Sequence, residues 1–410
     1  MTDALGLRDA PPTEPATQHR LGEVAWTFLR LGSLSFGGPI AHLGYFRTEL
    51  VSKRRWLNDA HYVDLVALCQ FLPGPASSQV VFALGMHRAG LLGALTASIC
   101  FTLPSALLML AFALGVAGTA NLAHAGWLLG LELAAVAVVA QAVGGMGKKL
   151  CTDRARLSLC VGSAALVLLA PGALAQLGVI LFGGVVGIWL YRDSSTTTPG
   201  PSAPTRGQFW ALAALITFFS LLVLLPALAR GTGSRSIAVF DAFYRSGSLV
   251  FGGGHVVLPL LRAELVPRGW LTDDQFLAGY GAAQALPGPL FAFAAYLGAA
   301  MHAGPQSWLA GLSCLLAIFL PAWLLIGGAL PFWDRLRKTA WTRGALAGAN
   351  ASVVGLLLAA LYDPLVTTGV RNARDACVAL VAFGLLEYWK APPWLVVIGC
   401  AAAGQWLLVI

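Results

Sequence analysis

The chain has 410 residues, of which 58% are hydrophobic and 11% charged, and its mean hydropathy is +0.75. A water-soluble chain carries about 25% charged residues, so this composition excludes a soluble enzyme, a disordered scaffold and a nucleic-acid binder. The net charge of +8 falls in short clusters between apolar runs, where basic residues set the orientation of a membrane protein.

Residues 1–20, with Asp3, Asp9, Pro11, Pro12, Glu14 and Pro15, read as a disordered tail without the apolar stretch of a signal peptide. Apolar segments suited to roughly 30 Å of hydrocarbon follow. In the first half they are Val24–Tyr45, Val63–Leu84, Leu91–Gly118, Leu122–Gly144, Leu157–Ala170 and Ala173–Tyr191. The polar run Asp193–Arg206 reads as a linker, and Phe209–Leu228 as an extra span. The second half offers Ile237–Leu261, Phe276–Met301, Trp308–Pro331, Gly344–Leu361, Ala376–Tyr388 and Trp394–Ile410. Seven cysteines lie mostly inside these runs with no CxxC, which predicts free thiols and no metal site.

The two halves repeat. Phe28–Pro75 aligns with Phe243–Pro289, and twenty-one of 47 aligned pairs are identical. Matched Arg30/Arg245, Arg47/Arg262, Glu49/Glu264, Trp56/Trp270, Asp59/Asp273 and Gln70/Gln284 cannot come from shared apolar composition. Duplication predicts repeats at 21–191 and 237–410, with 192–236 as linker plus extra span. Seven candidate elements separate equivalent points, which predicts halves of opposite orientation. Lys/Arg clusters at Arg47–Arg55, Lys148–Arg156 and Arg335–Arg343 all become cytoplasmic if the P-G-P segments dip in and return.

F-G-G-P (Phe36–Pro39) and F-G-G-G-H (Phe251–His255) break the apolar runs, as do two P-G-P turns at Pro73–Pro75 and Pro287–Pro289. Matched breaks in inverted repeats point to a transporter's substrate site. A helix restarting after such a break offers unpaired N–H groups, which attract anions. The candidate lining comprises Arg30, Ser33, Ser35, Gly37, Gly38, Gln70, Pro73, Gly74, Pro75, Ser77 and Ser78 in the first half. In the second it comprises Arg245, Ser248, Gly252, Gly253, Gly254, His255, Gln284, Pro287, Gly288, Pro289 and Asn350. Gln79 adds a donor beside Ser77 and Ser78. Arg30 and Arg245 would fork onto an oxyanion or else snorkel to the interface. Arg47/Glu49 and Arg262/Glu264 read as mutual ion pairs or interface anchors, and Trp56 and Trp270 as aromatic-belt residues. Glu132, aligned with Asn350, is the proton-coupling candidate, with a protonated interhelical hydrogen bond as the alternative. His42 and His255 follow the glycine breaks and are further titratable candidates.

The pattern F-G-G-P, W-L, Q-x-L-P-G-P, repeated as F-G-G-G-H, W-L, Q-x-L-P-G-P, resembles the chromate ion transporter (CHR) family in its long, fused two-half form. The likeness extends to Asn350–Leu357 and Leu361–Pro364. It implies an all-α, multi-pass protein of the cell inner membrane that exports chromate, a sulfate mimic, driven by the membrane's electrochemical gradient. The expected partners are chromate or a sulfate-like anion and the lipid bilayer, with a homodimer left open, no nucleic acid and no cofactor. Sulfate uptake by the same fold and a passive anion channel are the alternatives. An intramembrane enzyme lacks its nucleophile, metal cluster or Asp pair.

Overall fold

A computed structural model describes residues 17–35, 38–117, 126–170, 173–190, 208–250, 256–302, 304, 306–332 and 340–407. The regular structure of these residues is helical, with no strand among them. Helix α1 is Thr17–Leu34 and α2 is Gly38–Phe46, followed by a π-turn at Arg47–Lys53. Helix α3 is Asp59–Phe71. The stretch Ala76–Ala117 is broken by non-helical Ala89 and Gly90, and its parts are α4 (76–88) and α5 (91–117). Then come α6 (Gly126–Leu150), α7 (Arg154–Leu169), α8 (Ala173–Leu190) and α9 (Gln208–Thr232). The second half runs α10 (Arg235–Ser248), α11 (Val257–Leu265), α12 (Asp273–Ala285), α13 (Phe293–Ala300) and α14 (Ser307–Ala329). It closes with α15 (Ala340–Ala360), α16 (Ala373–Glu387) and α17 (Pro393–Leu407).

Local chemistry sets these boundaries. Asn58 accepts from the His61 N–H to start α3, and Thr272 with Gln275 forms a capping box at α12. Both helices stop one residue before L-P-G-P. A proline pushes its predecessor out of the helical region, and Leu72 and Leu286 are extended with ψ of 148° and 149°. A helix of 13 residues is only about 20 Å long. The sequence segments Val63–Leu84 and Phe276–Met301 are therefore each two half-length helices around a break. Val24–Tyr45 and Ile237–Leu261 are also each divided between two helices, one ending at Leu34 or Ser248 and the next beginning at Gly38 or Val257.

Five stretches of the described residues are long and apolar enough to cross a membrane: Ala76–Gly115, Leu129–Lys148, Phe209–Thr232, Ser307–Phe332 and Gly344–Asp363. Shorter apolar helices of the described residues include Gly178–Leu190, Leu290–Ala300 and Pro393–Trp406.

Glycines bring the backbones together, as in membrane helix packing. A Cβ at Gly32 of α1 would strike the Phe101 carbonyl of α5, and one at Gly247 of α10 the equivalent Ile318 carbonyl of α14. Gly85 and Gly93 face each other across the α4–α5 turn, as Gly298 and Gly311 do between α13 and α14. The last three helices of each half are exchanged. Helix α6 packs on α16 and α17, with Gly130 against the Cys400 carbonyl, while α15 packs on α7 and α8, with Gly348 against the Gly183 carbonyl. Each half thus completes the other's core. Helix α9 lies outside this exchange and rests on α10 and α14, where the Tyr244 hydroxyl donates to the Phe218 carbonyl at 3.0 Å.

Candidate functional site

The P-G-P turns meet the opposite half. The N–H of Gly74 donates to the carbonyl of Val250 at 2.6 Å, and the N–H of Gly288 donates to the carbonyl of Ser35 at 2.9 Å. Ser35 and Val250 are equivalent in the repeat, each the residue before F-G-G. The two bonds are therefore one interaction made twice, reciprocally. Both glycines have positive φ, +121° at Gly74 and +93° at Gly288, which only glycine adopts without strain. Their missing side chains also leave room. A Cβ on Gly74 would lie 3.3 Å from Cβ of Ala322, and one on Gly288 would lie 2.9 Å from Oγ of Ser105.

Polar atoms without partners gather at these turns. Ser35 and Ser78 are buried with unpartnered hydroxyls, and Gln284 has a buried, unpartnered Nε2. Gln79 is fully buried. Its Nε2 donates to the Pro73 carbonyl at 2.8 Å and fixes the first turn, while its Oε1 has no partner. Buried polar groups ordinarily find partners, and these four residues lie beside the two turns.

The other candidates are placed differently. Ser33 is exposed and bonds back to the Leu29 carbonyl, Ser248 bonds back to the Tyr244 carbonyl, and Gln70 is exposed. Ser77 is buried beside Ser78. Asn350 lies on α15 with a buried, unpartnered Oδ1. Gly38 opens α2. Gly37, Gly252, Gly253, Gly254 and His255 lie outside the described residues.

The charged pairs differ from the sequence expectation. Arg47 does not pair with Glu49. It forks onto Asp59 at 2.8 and 2.6 Å, and Arg262 forks equivalently onto Asp273 at 2.7 and 3.0 Å. A helix-start aspartate fits the planar fork better than a near neighbour on the same turn. Glu49 is bonded by Arg54 at 2.9 Å, and that hydrogen bond holds its carboxyl below the usual range. Arg30 stands 4.0 Å from Glu49 and is half exposed, whereas Arg245 is gripped by Asp241 at 2.9 Å and Glu264 at 3.0 Å. Trp56 is no lipid-facing belt residue. It is buried under the Arg88 guanidinium, and its indole N–H donates to Glu23. His87 donates to the Trp56 carbonyl at 3.1 Å, so the two ends of the α3–α4 segment lie together. In the second half, Arg235 stacks on Trp270 and donates to the Met301 carbonyl, joining the ends of the α12–α13 segment.

Glu132 is buried on α6, where it accepts from Arg371 at 3.2 Å, and the same guanidinium reaches Asp274 at 3.4 Å. Among the described residues no hydrogen bond links Glu132 to the P-G-P crossing. The sequence reading left out Asp375, which is fully buried, accepts from the Arg371 N–H and has an unpartnered Oδ1. It also left out the Ser35 and Val250 carbonyls, for which position before F-G-G was the available signal.

The sequence profile of the chromate transporter family matches residues 22–188 and 237–405. A chromate transport protein of Pseudomonas aeruginosa is 32% identical over 93% of this chain and 91% of its own length. A chromate transport protein of Cupriavidus metallidurans is 28% identical over 98% of this chain and 96% of its own. A probable chromate transport protein of Synechococcus elongatus is 26% identical over 94% of this chain and 95% of its own. No solved structure matches.

Proposed function

This chain belongs to the chromate transporter family, and we propose that it is a secondary transporter moving chromate out of the cell across the inner membrane. The observation carrying the substrate site is the reciprocal pair of bonds, Gly74 to Val250 and Gly288 to Ser35. In this account a dianion enters between the two P-G-P turns and replaces the carbonyls as acceptor of both glycine N–H groups. The Ser35 and Ser78 hydroxyls and the Gln284 amide are unspent donors beside it. The first turn of α4 adds N–H groups and the positive end of a helix dipole. Arg30, loosely held by Glu49, supplies positive field from the edge of the site. Arg245 is already neutralised by two carboxylates, which gives it a smaller part.

The topology proposed with it is inverted, with the α3–α4 and α12–α13 segments re-entrant. The ends of each segment lie together and their P-G-P apices touch the opposite half, as a dip and return requires. Alternating access then consists of the anion leaving one glycine N–H at a time, with that turn re-forming its crossed bond, so that the site opens first to one face and then to the other. Glu132 is the proposed proton-coupling carboxylate. When it is neutral, Arg371 is released toward Asp274 and outer water.

Proteoliposome flux tests the proposal. Labelled chromate must move faster when a proton gradient is imposed than when only voltage is clamped. Equal flux in both conditions sinks the coupled carrier in favour of a passive channel. Cells carrying the gene must accumulate less chromate than cells without it, and greater accumulation reverses the direction.

A further inference from the structure

His42 is fully buried on α2, directly behind the crossing. Its Nε2 lies 3.1 Å from the Ser35 carbonyl, the same oxygen that accepts the Gly288 N–H. That contact places the proton of the neutral ring on Nε2, because a carbonyl only accepts. Nδ1 is then a lone-pair acceptor, and it is buried with no partner. The ring is otherwise enclosed by aromatics, edge-on to Phe101 at 5.5 Å and tilted against Phe46 at 6.1 Å. The aligned position in the second half is Val257, so His42 has no counterpart in the repeat.

Most charges of the described surrounding elements are engaged by partners, and Arg55, on the turn after α2, is exposed. On α1, Glu23 is held by Arg54 and Arg88, and Arg30 stands at Glu49. Arg20, also on α1, has an interaction of its own. On the turn after α2, Arg47 is paired with Asp59, and Lys53 with Glu49. Tyr62 of α3 donates to the Leu43 carbonyl, and Tyr45 of α2 is exposed. Helix α5 carries only the thiol of Cys100. Of the cations on these described elements, Arg30 lies half exposed at the edge of the site, so the second negative charge of a dianion at the Gly74 and Gly288 N–H groups is left to a group that can become positive. A double negative charge in a low-dielectric site draws the nearest group that can become positive.

We propose that His42 is the protonation site linked to anion occupancy: as a dianion takes the Gly288 N–H from the Ser35 carbonyl, the His42 ring takes a proton from water on Nδ1. The imidazolium keeps its Nε2–H on the released Ser35 carbonyl and holds that oxygen away from the anion. One proton is bound per anion, and nothing is oxidised or reduced. The inference rests on the anion site argued above and is separate from the part given to Glu132, which acts during transport and not in equilibrium binding.

The test is equilibrium binding of chromate to the purified full-length protein, at pH values where chromate is wholly dianionic. One linked proton makes affinity fall about tenfold per pH unit. Wild type must show that slope, and H42Q must bind with no slope. A flat wild-type profile overturns the role of His42, and so does an unchanged slope in H42Q. Absence of chromate binding to wild type refutes the anion site itself, a separate outcome. Because H42Q can fail to fold, nitrogen-15 histidine NMR of the unaltered protein gives an independent answer. One imidazole must become imidazolium on chromate addition, and no conversion overturns the proposal.

Discussion

Alanine at Gly74 or Gly288 tests the crossing most sharply. The backbone conformations, φ of +121° and +93°, cost a side chain of order 1–3 kcal/mol. At Gly74 the new Cβ would sit 2.8 Å from Nε2 of Gln79, and at Gly288 it would sit 2.9 Å from Oγ of Ser105. Those side-chain atoms can shift, but the backbone strain is relieved only if the turn moves, which withdraws the N–H from the opposite carbonyl at a further cost of about 1 kcal/mol. The sum of ~2–4 kcal/mol corresponds to roughly 30- to 1000-fold against the crossed arrangement. Gly90 supplies the control. It has a positive φ of +65° with nothing within 4 Å of an added Cβ, and it lies at the α4–α5 turn away from the crossing. Chromate flux per folded molecule in proteoliposomes must fall at least tenfold in Gly74→Ala and Gly288→Ala. In Gly90→Ala it must hold while thermal stability drops. Equal flux in all three variants refutes the claim that the crossed glycines form the transport site.

Other consequences follow from the same geometry. Glu132→Gln abolishes stimulation of flux by a proton gradient and leaves chromate binding intact. Stability changes by no more than about 1 kcal/mol, because the amide keeps the shape of the carboxyl and the half-exposed Arg371 stays solvated; loss of binding in this variant contradicts the assignment. Glu49 has its folded-state pKa lowered by Arg54 from an ordinary 4.5. Its stabilisation is present above that value and disappears as pH falls below it through the folded value. Thermal melts in detergent must show a loss below pH 4.5 that Glu49→Gln removes, and an unchanged acid profile in the variant contradicts the pairing. Gly348→Val drives a side chain into the Gly183 carbonyl. It must therefore abolish correctly folded protein on size-exclusion chromatography, whereas normal yield would deny the exchange of helices between halves.

Much of this was legible in the sequence, and the reason is duplication. Arg30, Gln70 and P-G-P at matched spacing mark the breaks from residue identity alone. Proline then makes Leu72 and Leu286 extended, as a local rule demands. What the sequence withheld was pairing across distance. Arg47 and Glu49 are near neighbours, yet the fork goes to Asp59, because the π-turn carries Arg47 back over the start of α3. Hydropathy alone shows Val63–Leu84 as one apolar stretch, because the P-G-P break interrupts the helix without interrupting apolarity. The acceptor of each glycine N–H is a carbonyl, and backbone groups leave no signature in residue identity. Ser35 and Val250 share a position in the repeat but no side-chain chemistry. The same applies to Asp375, whose burial depends on α16 packing against α6 from the other half.

The most direct measurement is the number of chromate ions bound per chain at equilibrium. A single site formed jointly by both halves requires one chromate per chain, lost together in Gly74→Ala and in Gly288→Ala. Two chromates per chain, each lost in only one of the variants, would contradict the joint site and leave each half binding on its own.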